Sequence, residues 1–179
     1  MELDQSLPED LTTFRLGQLL LVLERLDSGV NLERLGYYDF FVANPMLIDD
    51  LEQVQRTELV LAGFDSRTID YQSAAHRFAN RRRRLRADLG SLIAYGLVVM
   101  DVGEGIISYR LTDRGIEASN NFSAHYADAI RQSLDLIMKK LKKLSDRRLR
   151  SSADRWLRAE RFDLDLIGVD QLERGEAPR

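Results

Sequence analysis

The chain has 179 residues, 44% of them hydrophobic and 31% charged, with a formal net charge of −3; that is enough for one domain with an appendage, and ordinary for a globular protein. It contains no cysteine, which removes disulfides, thiol catalysis and cysteine-based metal sites together. No apolar run approaches the roughly 20 residues that span a bilayer, and no charged-then-apolar leader opens the sequence, so a soluble, cytoplasmic protein is expected.

The small net charge hides a polarity along the chain. Residues 1–70 carry 5 basic and 14 acidic side chains, whereas 139–161 carry 10 basic and 3 acidic. Docking of an acidic half on a basic one, or on a charged partner, follows as naturally as binding to nucleic acid.

Residues 1–11 are acidic and expected to fray. Thr12 and Thr13 offer N-caps to a first helix, with Leu16, Leu19, Leu20, Leu23 and Leu26 at helical spacing and Asp27-Ser28-Gly29 as its stop. Asn31 can cap a second helix that turns Leu35, Tyr38, Phe41 and Val42 inward and closes at Asn44-Pro45. On that helix Tyr37 and Phe40 are left either exposed, as an aromatic pair fit to dock a protein, or packed into the core with Tyr38 and Phe41 around a helix bend. A third segment, capped by Asp49 or Asp50, runs to Gly63, with Leu59-Val60-Leu61 readable as helix or as a short strand. A polar stretch over 65–73 precedes a helix holding six arginines in ten residues, Arg77, Arg81, Arg82, Arg83, Arg84 and Arg86. A hairpin follows, Val98–Val102 and Ile106–Leu111 around Gly103-Glu104-Gly105, and Thr112 caps a short helix. The longest regular segment is expected from Ser123, with Tyr126, Ile130, Leu134, Ile137, Leu141 and Leu144 making a narrow seam suited to a partner helix. A basic helix, 146–161, and an acidic tail, 162–179, complete the chain.

The predicted fold is therefore mainly α with a small β-hairpin: a winged helix-turn-helix core over 12–120 and a C-terminal helical extension over 121–161. On a helical wheel with Leu85 at the origin, Phe78, Leu89 and Leu92 fall within about 40°, marking the buried stripe. Arg77, Arg81 and Arg84 group at roughly 260–320° with Asp88, Arg83 points outward, and Arg82 lies at the edge of the core. Arg77, Arg81, Arg83, Arg84 and Arg86 are thus the expected contacts, either to DNA phosphates or to acidic groups of a partner or of residues 1–70, with a merely solvated helix face as the remaining reading. Few base-reading side chains accompany them, and Glu104 puts a negative charge at the hairpin tip, so sequence-specific readout is not expected.

No phosphate-binding loop or dinucleotide fingerprint is present. His76 and His125 are not paired at ligand spacing, so no metal site and no cofactor are expected, and no spacing nominates a catalytic group. A non-enzymatic protein is the expectation.

Leu32-Glu33-Arg34-Leu35-Gly36-Tyr37-Tyr38-Asp39-Phe40-Phe41, Tyr95-Gly96-Leu97-Val98, Tyr109-Arg110-Leu111-Thr112-Asp113-Arg114-Gly115 and Ser123-Ala124-His125-Tyr126 follow one another in an order that resembles the small middle components of bacterial ABC-three-component defence systems, including the small subunit of Lamassu-type systems. The resemblance covers roughly residues 14–150. It implies a non-catalytic subunit joining an SMC-like ATPase to an effector, often a nuclease, against phage or plasmid DNA. Under that reading Tyr37, Phe40, Tyr126, Ile130, Leu134, Ile137 and Leu141 are the docking residues, with non-specific double-stranded DNA as a further partner. The alternative is a winged-helix transcription regulator that dimerises through 126–144 and binds an operator.

Overall fold

A computed structural model describes residues 11–26, 28–64, 73–103 and 105–158. The expectations placed on residues 1–10, Asp27, 65–72, Glu104 and 159–179 lie outside the described residues.

In chain order the elements are α1 (Thr12–Glu24), β1 (Val30–Asn31), α2 (Leu32–Ala43), a 3-10 turn (Pro45–Leu47), α3 (Gln53–Leu61), α4 (Ala74–Ala94), β2 (Val98–Gly103), β3 (Ile106–Leu111), α5 (Asp113–Asn120) and α6 (His125–Leu141). A last helix, α7, covers 146–158. The fold is mainly helical, with one antiparallel sheet in the order β1-β3-β2. The two-residue strand β1 has no signal in the sequence; it joins the hairpin by pairing Val30 with Tyr109 and Asn31 with Ser108.

Local chemistry sets most boundaries. The Asn31 side chain accepts a hydrogen bond from the Arg34 amide at 2.8 Å, which caps α2 as expected, and Pro45 follows its end. The cap of α1 is Leu11, not Thr12 or Thr13; the Thr12 hydroxyl instead accepts from Arg15 Nη2 at 3.2 Å. Leu59-Val60-Leu61 is helical. The Gln55 side chain accepts from the Glu52 amide at 3.0 Å, satisfying a donor at the start of α3. At 21 residues α4, rather than the 17-residue α6, is the longest element described.

The core is built around two helices buried on nearly all sides. Leu19 to Leu23 of α1 are all buried, as are Leu35 to Val42 of α2. Both helices are wrapped: α2, α4, α5, α6 and β3 pack on α1, and α1, α4, α6, β1 and β3 pack on α2. Continuous apolar runs are the mark of such a helix, because no face of it meets water. From the C-terminal side, Ile130, Leu134, Ile137, Met138 and Leu141 of α6 and Leu149, Ala153, Trp156 and Leu157 of α7 enter the same core. Trp156 meets Phe41 edge-on, with ring centroids 5.1 Å apart. Residues 121–158 therefore share one interior with 12–120. No helix among the described residues is long and apolar enough to cross a membrane.

Candidate functional site

The six arginines of α4 divide by the side of the helix they leave from. Arg81 turns inward. Its Nε and Nη2 donate to Asp39 Oδ2 and Oδ1 at 2.5 and 2.8 Å, with the Arg81 side chain 10% exposed and Asp39 0%. Gln18 Nε2 donates to the same carboxylate at 2.8 Å and to the Asp39 carbonyl at 2.6 Å, and Gln18 Oε1 accepts from the Tyr126 hydroxyl at 2.9 Å. One connected polar network thus ties α4, α2, α1 and α6 together, and its hydrogen bonds meet the needs of a charge removed from water. Burial alone would lower the Arg81 pKa, but the charge of Asp39 and its hydrogen bonds outweigh that and raise it. The guanidinium stays charged.

A second buried pair sits beside the first. Arg15 Nε and Nη2 donate to Asp88 Oδ2 and Oδ1 at 2.8 and 3.0 Å, joining α1 to α4. Arg77, half-buried, donates from Nη1 to Asn44 Oδ1 at 2.9 Å. Arg82, Arg83, Arg84 and Arg86 are exposed. The flank holding Arg77, Arg81 and Asp88 was expected to face solvent; it faces α1 and α2, because α4 lies against both and more of its circumference is covered than its apolar stripe reveals. Arg77 and Arg81 are therefore engaged inside the chain, and Arg82, expected at the core edge, is outside.

The acidic first half and the basic last third clasp each other. Arg150 bonds Glu33 at 2.6 Å, Arg155 bonds Asp49 at 3.1 Å and Asp50 at 3.3 Å, and Lys140 reaches Asp50 at 3.3 Å. Arg25 pairs with Asp135. Arg34 does the most. It donates to Asp146 and to the Leu141, Lys142 and Leu144 carbonyls, the last at 2.6 Å, so α2 supplies the C-terminal cap of α6.

The expected docking residues lie in the core. Tyr37, Phe40, Ile130, Leu134, Ile137 and Leu141 are all buried, and Tyr126 is half-buried with its hydroxyl on Gln18. Tyr37 stacks on Phe78 at 5.4 Å, and Phe40 meets the same ring edge-on at 5.2 Å. The α6 seam does find partner helices, but they are α1 and α2 of this chain. None of these buried side chains offers a free face in this conformation.

Exposed apolar side chains lie elsewhere: clustered on the hairpin and on α3, and otherwise as Leu11 and Phe14 at the start of α1, Ile93 and Tyr95 at the end of α4, and Ile116 of α5. In the hairpin, Val98 and Leu111 pair at its buried base, then Met100 with Tyr109, then Val102 with Ile107. This one face runs apolar from the core into solvent, with Val102 69% exposed and Ile106 also exposed on the opposite face at the outer end. On α3, only Leu59 is buried, while Val54, Val60 and Leu61 stand out, Leu61 at 81% exposure. α3 packs on α6 and the 3-10 turn, whereas the hairpin packs on α1, α2, α4 and α5. Sequence reasoning missed both surfaces, although Val102, Ile106 and Ile107 around a Gly-flanked tip were a readable signal. No group of three or more His, Asp or Glu side chains that could hold a metal occurs among the described residues.

The model of one protein family, middle component 2 of ABC-three component systems, matches residues 13–160. The chain belongs to this family. No curated protein and no solved structure matches it. A middle component of a system with several components has partner subunits to meet.

Proposed function

We propose that this middle component 2 is a non-catalytic accessory subunit that bridges an SMC-like ABC ATPase and a nuclease-type effector in a bacterial defence complex in the cytoplasm. The observation that carries this reading is the pair of exposed apolar surfaces on separate elements: the outer hairpin with Met100, Val102 and Ile107, and α3 with Val54, Val60 and Leu61. A bridge needs two docking faces, and large aliphatic side chains left in water at two places are costly unless something covers them. Helix, short strand, helices and hairpin, in that order, support the finer reading of 12–120 as a winged helix. The exposed arginines of α4 add an auxiliary contact.

The dimeric regulator is less well supported, because the α6 seam on which it would dimerise is spent on the chain's own core. Co-expression of the ATPase and effector with and without this chain tests the bridge: the two are expected to co-purify only when it is present.

A further inference from the structure

Arginines from two helices meet on one surface of the molecule. Arg82 of α4 and Arg150 of α7 both reach the first half of α2: Arg150 bonds Glu33 at 2.6 Å, and a Cβ placed on Gly36, three residues on, would come within 3.9 Å of Arg82 Cγ. Arg83 and Arg86 leave the outward arc of α4 on the Arg82 side, and Arg147 lies one turn before Arg150 on α7. Arg82, Arg83, Arg86 and Arg147 are exposed and have no ion pair or side-chain hydrogen bond among the described residues. The carboxylates nearest these arginines in the chain and the fold are already engaged, Glu33 by Arg150 and Asp146 by Arg34, and Asp154 lies one turn after Arg150.

The rest of the surface is smooth. Every exposed position of α4 from Arg82 to Gly90 is Arg, Ala or Gly, and nothing lies within 4 Å of a Cβ added to Gly90. A protein interface needs a desolvated apolar or aromatic centre; between Arg82 and Gly90 there is none, Ile93 and Tyr95 are exposed singly at the far end of α4, and the exposed aliphatic clusters lie on the hairpin and α3. Single-stranded nucleic acid needs a run of exposed rings for successive bases, but Tyr37 is buried and stacked on Phe78, and the exposed Tyr95 stands alone past the end of α4. Contact with a duplex backbone requires neither, only cations that a phosphate can approach. The exposed set also lacks the Asn, Gln, Ser and Thr side chains that complete base readout.

We propose that Arg82, Arg83 and Arg86 of α4, with Arg147 and Arg150 of α7, form one face that binds the phosphate backbone of double-stranded DNA without reading its sequence. This deepens the auxiliary contact of the proposed function and rests on it only for its biological setting. The test is a salt titration of the full chain with two duplexes of unrelated sequence, each about three helical turns (~30 bp) long. Equal affinity for both is expected, and Arg82→Ala/Arg83→Ala/Arg86→Ala should flatten the log–log slope by about 0.9 for each phosphate no longer neutralised. The matching Arg→Lys triple variant should keep the slope, since charge is retained. An unchanged slope in the alanine variant, or a preference for one duplex, would overturn the proposal. So would loss of co-purification with the other components at unchanged DNA binding, which makes the face a protein interface. Normal DNA binding without assembly of the complex would count against the bridging role alone and leave this face standing.

Discussion

Asp39 is the residue on which the inner charge arrangement turns, since one buried carboxylate receives Arg81 and Gln18 from two different helices. Truncating it leaves a guanidinium that is 10% exposed without its counter-charge. Asp39→Ala is therefore expected to cost about 3–5 kcal/mol in urea unfolding, while a combined apolar replacement of Asp39 and Arg81 should cost far less. An equal loss in both variants would mean that the charge is not what matters. The tyrosines give a pH signature. Burial pushes the Tyr38 hydroxyl above its ordinary 10.0, and a hydrogen bond from Arg34 only partly offsets this; Tyr37 is raised for the same first reason. The unfolded chain thus ionises first as pH rises. Their contribution is complete below pH 10 and is lost from there up through the raised folded values. Unfolding midpoints should be unaffected by these groups up to that point and fall beyond it, less steeply in Tyr38→Phe. The arginine stripe was legible as a charge run, but which arginines turn inward was not. Asp39 and Arg81 are 42 residues apart, and a helical wheel does not contain the neighbours that cover a flank.

Elements obeyed their terminal residues more closely than their apolar periodicity. The end of α4 was readable because Tyr95-Gly96-Leu97 makes a left-handed stop: Gly96 has φ +69°, and the Leu97 amide bonds the Leu92 carbonyl at 2.9 Å. Thr112 was likewise readable as a cap; its hydroxyl accepts from the Gly115 amide at 3.1 Å and donates to the Gly96 carbonyl at 2.7 Å. This draws α5 so close to the α4–β2 turn that a Cβ on Gly115 would lie 2.0 Å from the Leu97 carbonyl oxygen. Gly115→Ala is accordingly expected to lower stability by about 1–3 kcal/mol or more. A wild-type melting temperature would show that the turn can move aside. What periodicity could not supply was the surroundings of α2. Tyr37 and Phe40 look spare on a two-dimensional wheel, yet helices, strands and the 3-10 turn pack around α2 and cover its whole middle.

At the scale of the molecule, the charge asymmetry resolves into a clasp. Acidic groups of the first half hold basic groups of α6 and α7 through Glu33, Asp49 and Asp50, and Arg34 of α2 closes the end of α6. Such exposed pairs contribute little stability each, but they fix how α6 and α7 seat on a core that is otherwise apolar and non-directional. The asymmetry was legible in the sequence and its internal use was one of three open readings; the apolar hairpin and α3 surfaces were not, because exposure depends on what the rest of the fold leaves uncovered. On those surfaces rests the proposed bridge, in which this middle component joins two partners through separate faces. Native mass spectrometry of the complete assembly, formed with Val102→Asp or with Leu61→Asp, tests it most directly. Two different incomplete complexes are expected, each retaining this chain with one partner and lacking the other. A full assembly with both variants, or ATPase and effector staying joined when this chain is left out, would contradict it.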